Sequence, residues 1–297
     1  MSELYLNYGY SPDKEAIDRS LDLIASNLEN VVSESVLRDC FSYMDLTSLK
    51  TTDGVASITK LIDKVNSYRE TYPNYPLPAS VCVYPNLVHV IKEKRNDQAL
   101  HATAVAGCFP TSQSFVEIKA AECAMAVEAG ADEIDIVLAL NAFMEGNYEA
   151  AADEIRACRK AVDEAGAREG RKVVLKVIIE SGVLATPERI ADASFIAMEC
   201  GADFIKTSTG KVDVNATPMA AYVMCECIRK FYEKTGRKVG FKAAGGVSTV
   251  MDAICYYSIV SAVLGNEWLN PTLFRFGVSR LANNLMSAIE QKTVAYF

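Results

Sequence analysis

Four charged side chains interrupt short apolar, β-branched runs: Asp135 in EIDIV, Lys176 in VLKVI, Lys206 in FIKTS and Lys242 in GFKAA. Strands of a parallel sheet covered on both faces are buried, so a charge there is costly unless it is paired or used. These four must therefore meet one another. Three ammonium groups crowding the Asp135 carboxylate would, together with burial, lower a lysine pKa. A lysine at its ordinary pKa of ~10.4 is almost wholly protonated at pH 7, whereas a value near ~7 leaves about half as free amine. A free amine attacks an aldehyde to give an imine, and the protonated imine draws electrons from an adjacent carbon–carbon bond until it breaks. That chemistry needs no metal. The chain is poor in metal ligands, since His89 and His101 are its only histidines and read as surface or loop residues. Cys225 and Cys227 stand too close together for a CxxC pair.

A second constellation follows the later runs. Thr207-Ser-Thr-Gly-Lys211 comes after the sixth, Gly245-Gly246 after the seventh and Ser279 after the eighth. Loops after the last strands of an α/β barrel often hold a phosphate on backbone N–H groups, with glycine permitting close approach. A phosphorylated substrate is expected there.

The elements that must position these residues are legible as an eightfold alternation. Apolar runs occupy 41–46, 79–84, 102–109, 133–140, 173–179, 203–208, 239–244 and 274–279. Helical patterns lie near 53–71, 86–97, 113–129, 147–165, 187–200, 217–235 and 248–264 and from 280 onward. Eight strand–helix alternations predict a (β/α)8 TIM barrel, an α/β fold. Residues 13–38 read as extra helix that caps the barrel's N-terminal end. The expected organisation is one domain over 1–297, with an N-terminal helical extension at 1–38 and the barrel at 39–290. Gly130, Gly201 and Gly236 each stop a helix before a strand, and Thr186 and Thr217 precede Pro187 and Pro218 as N-caps. An internal echo aligns Gly130-Ala-Asp-Glu-Ile-Asp135 with Gly201-Ala-Asp-Phe-Ile-Lys206. It puts Asp135 and Lys206 at equivalent points of alternate strands, which share an interior layer.

Bulk properties restrict the partners. The net charge of −8 disfavours nonspecific binding to nucleic acid or anionic lipid, so an anionic substrate must meet a local basic site. Neither a secretory leader pattern nor a membrane-length apolar run is present in the sequence, and nine scattered cysteines fit reduced thiols. A cytoplasmic enzyme is expected, without cofactor or metal, acting on a small molecule and assembling as a homodimer.

The segments MDLTSL, VCVYP, GADEIDIV, LKVIIESG, GADFIKTSTGK, VGFKAAGGV and FRFGVS, in order over about residues 40–280, resemble the motifs of the deoxyribose-phosphate aldolase family. The resemblance implies a class I, Schiff-base cleavage of 2-deoxy-D-ribose 5-phosphate to glyceraldehyde 3-phosphate and acetaldehyde. It implies Lys206 as the Schiff-base lysine, Lys242 as the neighbour that tunes it, and Asp135 as the acid/base that works with a water. It also implies Asp45 and Thr47 near the sugar hydroxyls and Lys176 as a supporting charge. Thr209, Gly210, Lys211, Gly245, Gly246 and Ser279 fall around hydroxyl and phosphate. Two positions depart from the family pattern: Ser248 replaces an arginine and Arg280 replaces the second serine of a pair. Cys82 resembles a family cysteine and also reads as a packing residue, and the Tyr296-Phe297 tail either folds toward the site or frays. Rival readings are another class I aldolase or transaldolase on a sugar phosphate, and a non-catalytic sugar-phosphate-binding barrel.

Overall fold

A computed structural model describes residues 3–297. Eight parallel strands close into one barrel in chain order, as the alternation predicts. They are β1 Met44–Thr47, β2 Ser80–Val83, β3 His101–Val105, β4 Glu133–Val137, β5 Val174–Ile178, β6 Phe204–Lys206, β7 Gly240–Ala244 and β8 Phe274–Val278. Helices α1 Lys14–Ala25, α2 Leu28–Val31 and α3 Glu34–Ser42 precede β1, and α4 Val55–Thr71 and α5 Val88–Lys94 follow β1 and β2. Then come α6 Val116–Glu128, α7 Leu140–Met144, α8 Tyr148–Arg168, α9 Ser181–Leu184, α10 Pro187–Glu199, α11 Pro218–Thr235, α12 Val250–Leu264 and α13 Leu281–Glu290.

Strands such as β4 and β7 are buried along their whole length, which is why they read as continuous runs rather than as alternation. Outward residues such as Val81, Ile134, Leu175 and Phe241 pack the layer beneath the helices and belong to one core. Predicted punctuation recurs in place: the Thr186 hydroxyl accepts from Arg189 N and that of Thr217 from Ala220 N, with proline opening each helix. Gly130 and Gly201 turn the chain at φ +109° and +92°.

Four expectations are corrected. The run at 41–46 begins in helix, because Phe41 belongs to the buried face of α3 and the strand starts only at Met44. The N-terminal segment is not a cap over the barrel floor. Its apolar faces find the outer ring instead: α1 packs on α11 and α12, α2 on α12, and α3 on α12 and α13, while Tyr8 stacks on Phe195 at 4.1 Å. The histidines occupy regular elements rather than loops, His89 in α5 and His101 at the head of β3. The tail neither frays nor reaches Lys206. Phe297 packs beside Phe41 and Tyr68, and Asn283 Oδ1 accepts from the N–H groups of Tyr296 and Phe297, both at 2.9 Å.

Candidate active site

The barrel interior is charged where most such interiors are apolar. Register pairs Asp135 with Lys176 and Lys206 with Lys242, so their side chains enter one space. Lys206 Nζ donates to Asp135 Oδ2 at 2.8 Å, Lys242 Nζ donates to the same oxygen at 2.8 Å, and Lys176 Nζ donates to Oδ1 at 2.9 Å. The four charges picked out by sequence do converge. They are not alone: Asp45, Glu133 and Arg275 share the interior, so the ammonium groups crowd three carboxylates rather than one. Arg275 Nη1 donates to Asp45 Oδ1 at 2.6 Å and Nη2 to Glu133 Oε1 at 2.8 Å. Lys176 lies 2.5 Å from Glu133 Oε2, and Lys242 lies 2.5 Å from Asp45 Oδ2 as an ion contact outside hydrogen-bond geometry. At the floor His101 Nδ1 meets Glu133 Oε1 at 2.7 Å.

These contacts decide which groups are charged. Burial pushes the Asp135 carboxyl up, but Lys176, Lys206 and Lys242 outweigh it and hold the group well below the usual carboxylate range. Burial is likewise overcome at Glu133, chiefly by Arg275 and Lys176, and at Asp45, chiefly by Lys242 and Arg275. Burial pushes Lys242 and Lys176 down, yet their carboxylates raise both above the ordinary lysine value. Lys206 is the exception. Burial pushes it down, Asp135 pushes it up, and the Lys242 charge pushes it down again, leaving it lowered. The largest cause of that lowering is burial, with Lys242 second, whereas sequence reasoning put the neighbour first.

Above this cluster, at the C-terminal ends of the strands, lies a cavity of about 390 Å³. Lys206 lines it, together with Thr47, Thr209, Gly210, Lys211, Gly245, Gly246 and Ser279. Asp45, Asp135, Lys176 and Lys242 do not; all four are fully buried beneath it. Asp45 is spent on Arg275 and Lys242, which is why it stands in the floor and not in the wall where the resemblance put it. The loops are tied together: Thr207 Oγ1 donates to Ala244 O and accepts from Ala244 N, both at 3.0 Å. Lys211 N donates to Thr209 Oγ1 at 3.1 Å, and Lys211 Nζ donates to Leu49 O at 2.7 Å. Thr209 itself gives its N–H and hydroxyl to Glu180, a residue at φ +53° at the start of α9 whose carboxyl burial pushes up. Ser248 and Arg280 line the cavity, as does Lys50. Cys82 is buried beside Leu49 and Val105, its thiol pushed up by burial to about 11.

Glu133, Arg275, Glu180 and Lys50 escaped the sequence reading. For Arg275 and Glu133 the signal was present, since each is a charge inside a run that becomes a buried strand, and Glu133 precedes Asp135 by the two residues that return to one face.

A family model for DeoC/LacD family aldolases matches residues 40–277. The chain belongs to that family. A Caenorhabditis elegans protein named as a deoxyribose-phosphate aldolase is 37% identical over 279 residues, 93% of this chain and 89% of its own. The human deoxyribose-phosphate aldolase is 39% identical over 259 residues, covering 82% of this chain and 77% of the relative. Among solved structures, one from Toxoplasma gondii with the same name superposes at a TM-score of 0.73 with 20% identity, covering 87% of this chain and 95% of that one. The Aeropyrum pernix deoxyribose-phosphate aldolase, described as a tetramer, superposes at 0.68 with 21% identity over 89% and 96%. These two likenesses bear on the barrel; the family rests on the sequence matches.

Proposed function

We infer that this family member is a 2-deoxy-D-ribose 5-phosphate aldolase that works through a Schiff base on Lys206. The observation that carries the reading is a lysine lowered from its ordinary value, lining the cavity and bonded to a buried carboxylate at 2.8 Å. The identity of 37–39% to relatives named for this activity supplies the substrate.

The Lys206 amine attacks C1 of the open-chain aldehyde, and uptake of one proton with loss of water gives the iminium. The C3 hydroxyl proton leaves through a water to Asp135. The C2–C3 bond then breaks, its electron pair passing to C2 and into the iminium, which yields glyceraldehyde 3-phosphate and an enamine. Protonation at C2 and hydrolysis release acetaldehyde and return the amine. Because the Lys176 and Lys242 ammonium groups hold the Asp135 carboxyl low, it is a weak base and a passing station for the proton. Lys242 and Lys176 keep their charges and fix Asp135 from both sides. We place the sugar hydroxyls against Thr47 and Thr209 and the phosphate against Gly210, Lys211, Gly245, Gly246 and Ser279, with Arg280 and Lys50 adding positive charge at the rim. We further propose a single catalytic domain, cytoplasmic and homodimeric. Phe115, Ile118 and Met125, exposed at and along α6, offer an apolar face for a second copy. Among the described residues no helix is long and apolar enough to cross a membrane.

Incubation with acetaldehyde and borohydride, followed by peptide mass spectrometry, tests the assignment. A two-carbon adduct on Lys206 is expected. An adduct on Lys242 or Lys176 instead would overturn it.

A further inference from the structure

The bonded interior holds three carboxylates, Asp45, Glu133 and Asp135, and four cationic side chains, Lys176, Lys206, Lys242 and Arg275. Three against three balance without Lys206. Every carboxylate is also bonded without it: Asp45 by Arg275 and Lys242, Glu133 by Arg275 and Lys176, and Asp135 by Lys176 and Lys242. An ammonium at Lys206 would therefore leave the closed cluster with an uncompensated charge, which a medium of low dielectric constant disfavours. Arg275 cannot relieve this by losing a proton, because a guanidinium keeps its charge in proteins.

We propose that Arg275 and Glu133 are positioning residues for the aldol reaction: they set the charge count of the barrel interior so that Lys206 rests as the free amine. Neither lines the cavity, and Arg275 sits on the floor beside Asp45 and Pro271, so both act through the cluster and not on substrate. The groups facing Lys206 are Asp135 from β4, Lys242 from β7, Cys82 from β2 and Glu180 at the head of α9. Cys82 is a neutral thiol at neutral pH, and both Glu180 carboxylate oxygens accept from Thr209, one from its N–H and one from its hydroxyl. Those facing Arg275 and Glu133 are Asp45 from β1, Lys176 from β5 and His101 from β3, the last of them with its side chain 43% exposed at the barrel floor.

The count predicts opposite effects from two neighbouring substitutions. Arg275→Met leaves acids in excess, so Lys206 is drawn to the ammonium form and the pH midpoint for its trapping by acetaldehyde and borohydride moves up. Glu133→Gln leaves cations in excess, and the midpoint moves down. Each unit of movement changes the amine fraction below the midpoint about tenfold. The double variant restores the balance and returns the midpoint to the parent value, and Arg275→Lys, which keeps the charge, leaves it there. The inference rests on Lys206 being the Schiff-base lysine, and the site of the adduct in the parent protein tests that separately. With the adduct on Lys206, midpoints that stay put or move in the same direction overturn the charge count. If either single variant fails to fold by circular dichroism, the double variant and Arg275→Lys decide alone: a midpoint displaced by more than about half a unit in either sinks the proposal.

Discussion

Replacing Gly245 by alanine asks whether the loop after β7 is the seat of the phosphate. Gly245 stands at φ +80°, where an L side chain costs about 1–2 kcal/mol. The added Cβ would lie 2.6 Å from Asn215 Oδ1 and 2.7 Å from Asn215 Cγ. Asn215 is not free to swing aside, since its Nδ2 donates to Val212 O at 2.8 Å, a bond worth about 1 kcal/mol. The strain totals roughly 2–3 kcal/mol, and the 245–246 peptide relieves it by moving away from the cavity. Expressed as lost binding, that is a fall of about 30- to 150-fold in kcat/KM for the phosphorylated sugar. Gly246, at φ +81° with nothing within 4 Å of its added Cβ, carries the conformational term alone, so Gly246→Ala should lose only about 5- to 30-fold. The assay compares kcat/KM on 2-deoxyribose 5-phosphate and on 2-deoxyribose for both variants. The expected result is a large loss on the first sugar and a loss within about threefold on the second. Equal losses on both sugars, or a Gly246→Ala defect as large as that of Gly245→Ala, would refute the phosphate seat.

Three further outcomes are expected. Lys242→Leu removes the second cause of the lowered Lys206 pKa, so activity falls steeply at pH 7 and the defect relative to parent shrinks toward pH 10; a ratio that stays constant across that range in initial-rate assays would assign Lys242 to placement alone. Asp45, Glu133 and Asp135 lie below their ordinary values of 3.8, 4.5 and 3.8, so their stabilisation is complete above those values and is lost as pH falls through the lowered folded ones. Lys206 has the opposite sign, with a cost present below its lowered value that disappears as pH rises toward 10.5; Tm measured from pH 2 to 10 should fall in acid and show no loss on that alkaline limb from Lys206. Exhaustive dialysis against a chelator should leave the rate unchanged, and a loss restored by a divalent ion would contradict the metal-free reading.

The sequence disclosed the barrel because buried parallel strands and punctuated helices differ in both length and period. It failed where that contrast is weak. The four- and five-residue helices α7 and α9 are too short to show a period, and α2 hides inside one long helical pattern at 13–38. Lys206, Lys176 and Lys242 stood out because each is a lone charge in an apolar run, and Asp135 because it sits at the centre of one. Arg275 met the same test inside FRFGV and Glu133 opened its run, but each shows its place only when its partner, 142 residues away, is brought alongside by barrel closure. Depth was the other hidden quantity. Asp45 and Thr47 are two residues apart on one face of β1, yet one lies in the floor and the other in the cavity wall, because the wall begins only at the strand's last residue.

The paired hydrogen bonds between Thr207 and Ala244 join the residue after Lys206 to the residue before Gly245. On the reading above, the nucleophile and the phosphate seat are thereby parts of one rigid bracket. Such a bracket is a ruler: it fixes the number of carbons that can stand between an aldehyde and a phosphate when both ends are engaged. A sugar phosphate one carbon shorter or longer can satisfy either end but not both, so selection by chain length comes from two short bonds in the wall and needs no residue that touches the middle of the substrate.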